Sequence, residues 1–111
     1  SMASFLQKQL LQPLNIPEQH CHFVPATRTD TLNACAEYEA EISAHGGIDL
    51  QILGIGKNGH IAFNEPGTPF HQNTHVATLS DSTRAANANY FSDGQTPKQA
   101  ITLGLKSILE A

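Results

Sequence analysis

The residues best suited to chemistry lie in one glycine-rich loop, residues 54–67. Its His60 is the side chain that can take up and release protons near neutral pH. Glu65 follows five residues later and could accept a hydrogen bond from the imidazole, which would fix the tautomer and raise the basicity of the ring. Asn58 could hold either a substrate hydroxyl or the other side of the ring. This spacing favours acid–base catalysis by a histidine with an orienting partner.

Two phosphate-binding motifs resemble parts of this loop. Gly54, Gly56 and Gly59 match the Gly-x-Gly-x-x-Gly motif of dinucleotide-binding sites. Such a site needs a helix that opens within the glycines, whereas the Asn-Glu-Pro-Gly sequence at 64–67 would end a helix early. The Gly-Lys-Ser/Thr of a Walker-type loop is absent. Both nucleotide sites are disfavoured, while a purely structural role for His60 stays open.

Other histidines form two close pairs, His20 with His22 and His71 with His75. Neither pair has a nearby cysteine or carboxylate that would complete a four-ligand set. We therefore expect no metal site, and solvated or surface-packed histidines instead.

The loop is positioned by the elements around it. Apolar and polar residues alternate at the start of segment 48–54, and only apolar residues and glycine follow. This pattern is typical of a buried parallel strand. The glycine-rich loop would then lie at the carboxyl end of that strand, where open α/β folds bind ligands.

Elsewhere, helical and extended patterns alternate. The predicted helices cover residues 5–14, 32–45, 81 to about 91, and 105 onward. The glycines at 46–47 should end the second, and Ser80 should be the N-cap of the third. The predicted strands cover 21–24, 48–54, 75–79 and 100–103, with a turn at 93–94. This alternation predicts an α/β fold with a parallel sheet in a single domain over residues 1–111.

Composition excludes several classes of protein. The 111 residues are 40% hydrophobic, which is too apolar for a disordered chain, and no apolar stretch approaches the ~20 residues of a membrane span. Six scattered cations within a net charge of −4 argue against nucleic-acid binding. Two cysteines cannot build a disulfide scaffold and no secretion signal is recognisable, so we expect a cytoplasmic setting.

The sequence at both ends is typical of a fragment of a longer chain. Ser1-Met2 reads like a tag remnant, and the helical pattern over 105–111 stops without a capping signal. We therefore expect a partial domain from a longer protein.

Residues 54–66 resemble the signature of the glucosamine-6-phosphate deaminase (isomerase) family, Gly-x-Gly-x-[Asp/Asn]-Gly-His-[Ile/Leu]-[Ala/Gly]-Phe-Asn-Glu-Pro, at every position. Weaker similarity extends over nearly the whole chain, including 81–87 and 97–104. The resemblance implies a three-layer, modified Rossmann-like α/β fold with a parallel central sheet. It also implies conversion of glucosamine 6-phosphate and water to fructose 6-phosphate and ammonium, without a metal or organic cofactor.

The resemblance implies a role for each matching residue. His60 corresponds to the histidine that shuttles protons during sugar ring opening, and Glu65 to the carboxylate that orients and charges it. Asn58 matches a position that is Asp in some members and Asn in others. The backbone at Gly54 and around Ala62 would contact the small-molecule sugar-phosphate substrate.

The sequence also departs from the family pattern. The aspartate base that acts at C2 and the phosphate loop would lie upstream of residue 1, and a phosphate-binding lysine downstream. Asn89 stands where the family often has a phosphate-binding arginine, and His75 and Ala77 replace basic residues of the allosteric members. We therefore expect no allosteric site, no activity in the isolated chain, and self-association through faces that the missing parts would cover.

Two other functions stay open. The 6-phosphogluconolactonases also carry Gly-x-Gly-x-Asp-Gly-His but usually continue with Thr-Ala-Ser-Leu-Phe-Pro, so Phe-Asn-Glu-Pro at 63–66 favours the deaminase over this hydrolase. A non-catalytic sugar-phosphate-binding regulator is favoured by Asn89, whereas the retained His60, Glu65 and Asn58 speak against it.

Overall fold

The structure is a computed structural model that describes residues 2–25, 28–88 and 96–111. It contains four α-helices and two β-strands in that part of the chain. In chain order these are α1 (Met2–Leu6), α2 (Thr31–Ala44), β1 (His75–Thr78), α3 (Asp81–Asn87), β2 (Gln99–Thr102) and α4 (Leu105–Leu109). A π-helical turn (Gln7–Leu11) continues α1, and a 3-10 turn covers Glu18–His20.

Helix α2 confirms the predicted helix and its glycine stop. Ala34 and Cys35 on this helix are buried and belong to the small core, together with Ala77 and Leu79. Gly46 and Gly47 adopt φ angles of 87° and 92°, a left-handed backbone that ends a helix and that glycine adopts without steric cost.

Helices α3 and α4 begin where the sequence predicts. The Ser80 hydroxyl accepts a hydrogen bond from the Thr83 amide at 3.2 Å and so caps α3. The further course of this helix toward residue 91, the predicted turn at 93–94 and Asn89 all lie outside the described residues. Gly104 precedes α4, and a Cβ there would lie 2.0 Å from the Gln72 carbonyl oxygen.

The parallel sheet is not confirmed. Both predicted C-terminal strands form, but they pair antiparallel, with His75 opposite Thr102 and Thr78 opposite Gln99. The expected strands at 21–24 and 48–54 are not formed. A β-strand requires backbone hydrogen bonds to a neighbouring strand. Segment 48–54 pairs with no strand in the described part of the chain, and its Leu50 and Ile52 are 83% and 94% exposed.

Buried polar contacts attach the loops to this frame. On α2, Glu39 Oε1 accepts hydrogen bonds from the Thr74 amide at 2.9 Å, the Thr74 hydroxyl at 2.7 Å and the Ser107 hydroxyl. At the same end of the β1–β2 pair, Asn64 Nδ2 donates to the Leu103 carbonyl at 2.8 Å. The Phe63 amide donates to Thr102 Oγ1 at 3.1 Å, so the glycine-rich loop is fastened to the end of β2.

Candidate active site

The glycine-rich loop folds back on itself around His60. The Gly56 amide donates to the His60 carbonyl at 2.8 Å, and the Gly59 amide donates to the Gly56 carbonyl at 2.9 Å. Gly59 has a φ of 85°, which allows this tight turn. A Cβ on Gly56 would lie 2.0 Å from His60 Cε1, so the ring can occupy its place only because residue 56 has no side chain.

Asn58 connects His60 to Glu65. Asn58 Oδ1 lies 2.6 Å from His60 Nδ1, and Asn58 Nδ2 donates to Glu65 Oε2 at 2.8 Å. Because the carboxylate can only accept hydrogen bonds, the amide nitrogen of Asn58 faces Glu65, and the amide oxygen accepts a hydrogen bond from the Nδ1–H group of His60. The neutral ring therefore carries its proton on Nδ1 and leaves Nε2 as a base.

This connection differs from the sequence-based expectation of a direct hydrogen bond between Glu65 and the imidazole. His60 Nδ1 and Glu65 Oε2 are 3.7 Å apart, which is within reach of an ion pair but too long for a hydrogen bond. Of the two roles open for Asn58, the structure shows the contact with the ring. The side chains of His60 and Glu65 are 14% and 15% exposed, so their charges interact with little screening from water.

The Glu65 carboxylate also receives a hydrogen bond from the start of α3. The Ser80 amide donates to Oε1 at 3.2 Å. Burial alone would raise the pKa of Glu65. The nearby polar groups of Thr83, Asn58 and Ser80, together with His60, outweigh burial and lower this pKa from 4.5 to about 2. Glu65 is thus ionised at neutral pH.

A cavity of about 440 Å³ opens beside this cluster. It is lined by the glycine-rich loop and by α3, through Gly54, Ile55, Gly56, Lys57, Asn58, His60, Ala62, Phe63, Ser82, Thr83, Ala86 and Asn87. The predicted sugar-contact positions Gly54 and Ala62 are therefore on the same wall as His60. Ala62 has a φ of 53°, an unusual conformation for a residue with a side chain. Such backbone strain is found most often at ligand sites.

The arrangement suits proton transfer. One imidazole nitrogen is engaged by Asn58 and the ring lines a cavity large enough for a small metabolite. An ionised carboxylate also lies 3.7 Å from Nδ1 of the ring.

Sequence reasoning did not find the roles of Ser80 and Thr83 at this site. It used them only as the start of a helix, since Glu65 lies 15 residues before Ser80 and His60 lies 23 residues before Thr83. The contacts from Ser80 to Glu65 and from Thr83 to His60 depend on how β1 returns the chain to the loop, and periodicity carries no signal for them.

Among the described residues, no group of three or more His, Cys, Asp or Glu side chains could hold a metal ion. No described helix is long and apolar enough to cross a membrane.

The chain is similar to known proteins over its whole length. All 111 residues match the family described as glucosamine-6-phosphate isomerases/6-phosphogluconolactonase, and the chain belongs to that family. Among curated relatives, the glucosamine-6-phosphate deaminase of Halalkalibacterium halodurans is 49% identical over 113 residues and matches 100% of the chain. Glucosamine-6-phosphate deaminase 1 of Bacillus subtilis is 51% identical over 92 residues, or 81% of the chain.

A solved structure gives the same result in three dimensions. A monomeric glucosamine-6-phosphate deaminase of the NagB superfamily superposes with a TM-score of 0.86 and 42% sequence identity over 96% of the chain. The chain spans less than half the length of these relatives: 46% of the Halalkalibacterium protein, 38% of the Bacillus protein and 45% of the solved chain.

Proposed function

We propose that this chain carries the proton-transfer histidine of a glucosamine-6-phosphate deaminase, an enzyme that converts glucosamine 6-phosphate and water to fructose 6-phosphate and ammonium. The observation that carries the proposal is the Asn58-bridged link between His60 and Glu65 on the wall of the cavity. The names of the relatives favour the deaminase over the lactonase within the same family.

Ring opening defines what His60 has to do. A proton must reach the ring oxygen of the sugar, and another must leave the anomeric hydroxyl. His60 Nε2 would carry out both transfers, because Nδ1 is engaged by Asn58. Glu65 would stabilise the imidazolium between the two transfers, and the backbone at Gly54 and Ala62 would contact the sugar.

The complete protein would supply the rest of the site. We propose that residues 1–111 form part of a single domain in a longer chain, and that the base acting at C2 and most phosphate contacts lie outside them. In that chain, residues 48–54 would become a strand of a parallel, three-layer sheet. Support comes from the high TM-score to a solved deaminase and from the exposure of Leu50 and Ile52, which such a sheet would cover.

The test is the His60→Gln variant of the full-length protein, assayed for ammonium release from glucosamine 6-phosphate. Turnover should fall about 10²- to 10⁴-fold, the usual contribution of a general acid–base, while sugar-phosphate binding is retained. His71→Gln is the matched control, because His71 is exposed and does not line the cavity.

Three results would contradict the proposal. Unchanged turnover in His60→Gln would remove His60 from the mechanism. Hydrolysis of 6-phosphogluconolactone without ammonium release would identify the lactonase instead. Binding of sugar phosphate with no turnover of either substrate by the wild-type protein would identify a regulator.

A further inference from the structure

Asn87 is a polar residue of α3 whose side chain contacts its own helix and also lines the cavity. It is the last residue of α3 and is partly buried. Its Nδ2 donates to the Thr83 carbonyl at 2.8 Å. This hydrogen bond fixes the orientation of the amide, because a carbonyl oxygen can accept from the NH2 group but not from the amide oxygen. The nitrogen is therefore directed to the helix, and Oδ1 is the free end of the side chain.

The Asn87 oxygen retains its full capacity to accept hydrogen bonds. An amide oxygen has two lone pairs, and no donor within residues 2–25, 28–88 and 96–111 forms a hydrogen bond to Oδ1. Because the side chain lines the cavity and is only partly buried, a ligand in the cavity can reach this oxygen. Binding sites use a small number of fixed polar groups of this kind to orient a ligand.

Ser82 offers a second acceptor on the same helix. Ser80 Oγ donates its single proton to Thr83 Oγ1 at 2.9 Å. The 3.1 Å hydrogen bond between the Ser80 and Ser82 hydroxyls must then be donated by Ser82. The Ser82 oxygen keeps its lone pairs, and Ser82 also lines the cavity. Ser82 and Asn87 therefore both match a ligand that brings hydrogen-bond donors to α3.

An amino sugar supplies such donors. Each hydroxyl carries one proton, and a protonated amine carries three and has no lone pair to accept with. His60 belongs to the glycine-rich loop and Asn87 to α3, so the two residues approach a ligand in the cavity from different elements. A sugar that places its ring oxygen at His60 can therefore be held at another of its polar groups by Asn87.

We infer that Asn87 is a substrate-binding residue: its Oδ1 accepts a hydrogen bond from a donor group of the amino sugar, either the ammonium at C2 or a hydroxyl. This inference rests on the proposed function for the identity of the sugar, and it adds a binding residue on α3 to the same site. Asn87 takes no part in proton transfer. Its removal should therefore weaken binding, with kcat little changed.

The experiment measures the binding of two open-chain analogues to the full-length protein by isothermal titration calorimetry. One is 2-amino-2-deoxyglucitol 6-phosphate, and the other is glucitol 6-phosphate, which has a hydroxyl in place of the amine. Neither analogue has a carbonyl group, so neither can isomerise. The comparison of the two analogues distinguishes a contact with the ammonium from a contact with a hydroxyl.

Two variants separate the acceptor from the helix contact. Asn87→Leu removes both the acceptor and the donor at similar shape, whereas Asn87→Asp keeps an acceptor oxygen and loses only the donor to Thr83. The titrations are run at about 0.5 M salt, which screens the new carboxylate from the phosphate of the analogue. Asn33→Leu is the matched control, because Asn33 is exposed on α2 and does not line the cavity.

We expect Asn87→Leu to raise the Kd of the amino analogue about tenfold, the usual effect of leaving one hydrogen bond unmade. Asn87→Asp and Asn33→Leu should stay within about threefold of the wild type. In turnover of glucosamine 6-phosphate, Asn87→Leu should raise KM while kcat stays within about twofold. Weakening of the amino analogue alone would assign the contact to the ammonium, and equal weakening of both analogues would assign it to a hydroxyl. Asn87→Ala repeats the comparison if the leucine variant does not fold.

Two results would overturn the role of Asn87. One is an unchanged Kd for both analogues in the variants that lack the acceptor. The other is equal weakening in Asn87→Leu and Asn87→Asp, because the loss would then come from the Thr83 contact that both variants lack.

Failure of the proposed function gives a different result. A wild-type protein that binds the amino analogue but releases no ammonium from glucosamine 6-phosphate would refute the deaminase, and the Kd values of the variants would still decide the role of Asn87. A wild-type protein that binds neither analogue would overturn both proposals.

Discussion

The imidazole of His60 lies directly against the backbone of Gly56. A Cβ at residue 56 would be 2.0 Å from Cε1, 2.3 Å from Nδ1 and 2.4 Å from Nε2 of the ring. These distances are far below van der Waals contact, so the ring and a side chain at 56 cannot both be present. The glycine therefore determines where the proton-transfer group sits.

Gly56→Ala should accordingly displace His60. We expect the free energy of unfolding to fall by about 1–3 kcal/mol, the usual cost of overpacking, as measured by urea denaturation of the 111-residue chain. Gly54→Ala is the control for stability, because a Cβ there meets nothing within 4 Å. Equal stability of the two variants would contradict the packing of the ring on Gly56.

Asn58 should tolerate aspartate better than leucine. Leucine removes both the acceptor for His60 Nδ1 and the donor to Glu65, so kcat of the full-length protein should fall about 10- to 100-fold. Aspartate still accepts from Nδ1, and we expect kcat at pH 7 to stay within about tenfold of the wild type. A leucine variant as active as the wild type would show that the Asn58 bridge has no role.

The Asn58→Asp variant should also change the pH dependence. It would place a second carboxyl beside Glu65 in place of the amide–carboxylate hydrogen bond, and like charges raise a carboxyl pKa. The acid limb of kcat/KM should therefore move to higher pH in this variant. An unchanged limb would mean that the two carboxyls do not interact.

Glu65 should make the fold sensitive to acid. Its pKa is lowered from 4.5 to about 2 in the folded chain. The resulting stabilisation is fully present above pH 4.5 and is lost as the pH falls from 4.5 toward 2, because the unfolded chain takes up the proton first. Urea midpoints of the 111-residue chain should thus fall over this range, and Glu65→Gln should flatten the fall. An equally steep fall in that variant would assign the acid sensitivity to other carboxylates.

Glu39 should matter more to stability than its neighbour Glu37. Burial would raise the pKa of Glu39, but hydrogen bonds from Ser107 and Thr74 outweigh it and lower this pKa. Thr74 and Ser107 are both 7% exposed, so Glu39→Ala would leave their donors buried without this acceptor. We expect a loss of about 2–4 kcal/mol in the free energy of unfolding, measured by urea denaturation.

Glu37→Ala is the matched control for this prediction. Glu37 lies on the same helix, pairs with Arg28 and has a side chain that is 65% exposed. Exposed ion pairs contribute little, so its removal should cost less than about 1 kcal/mol. Similar losses for both variants would show that the Glu39 contacts do not stabilise the fold.

The 111-residue chain should self-associate through segment 48–55. Leu50 and Ile52 are more than four-fifths exposed, and they would lie on one face of an extended segment. Light scattering should show a mass that rises with concentration, and the double variant Leu50→Lys, Ile52→Lys should reduce it. Leu32→Lys is the control, because Leu32 is 88% exposed but lies on α2. A concentration-independent monomer in the wild type would contradict this prediction.

Local sequence was sufficient wherever a structural feature depends on neighbours in the chain. The glycine pair after α2, the Ser80 cap of α3 and the extended runs of β1 and β2 were all predictable, because caps and turns are made by residues a few positions apart. Asn58 and His60 meet for the same reason, since a turn at Gly59 brings together side chains two residues apart.

Tertiary structure decided the features that depend on distant partners. Only the folded chain brings Ser80 to Glu65 and Thr83 to His60, replaces the direct imidazole–carboxylate bond with the Asn58 bridge, and pairs β1 with β2 antiparallel. Segment 48–54 has a strand-like sequence but forms no strand, because strand formation requires a hydrogen-bonded neighbour. The hydrophobic pattern thus determined which segments could be buried. The neighbouring segments in the folded chain determined which of them formed strands and how they were oriented toward the site.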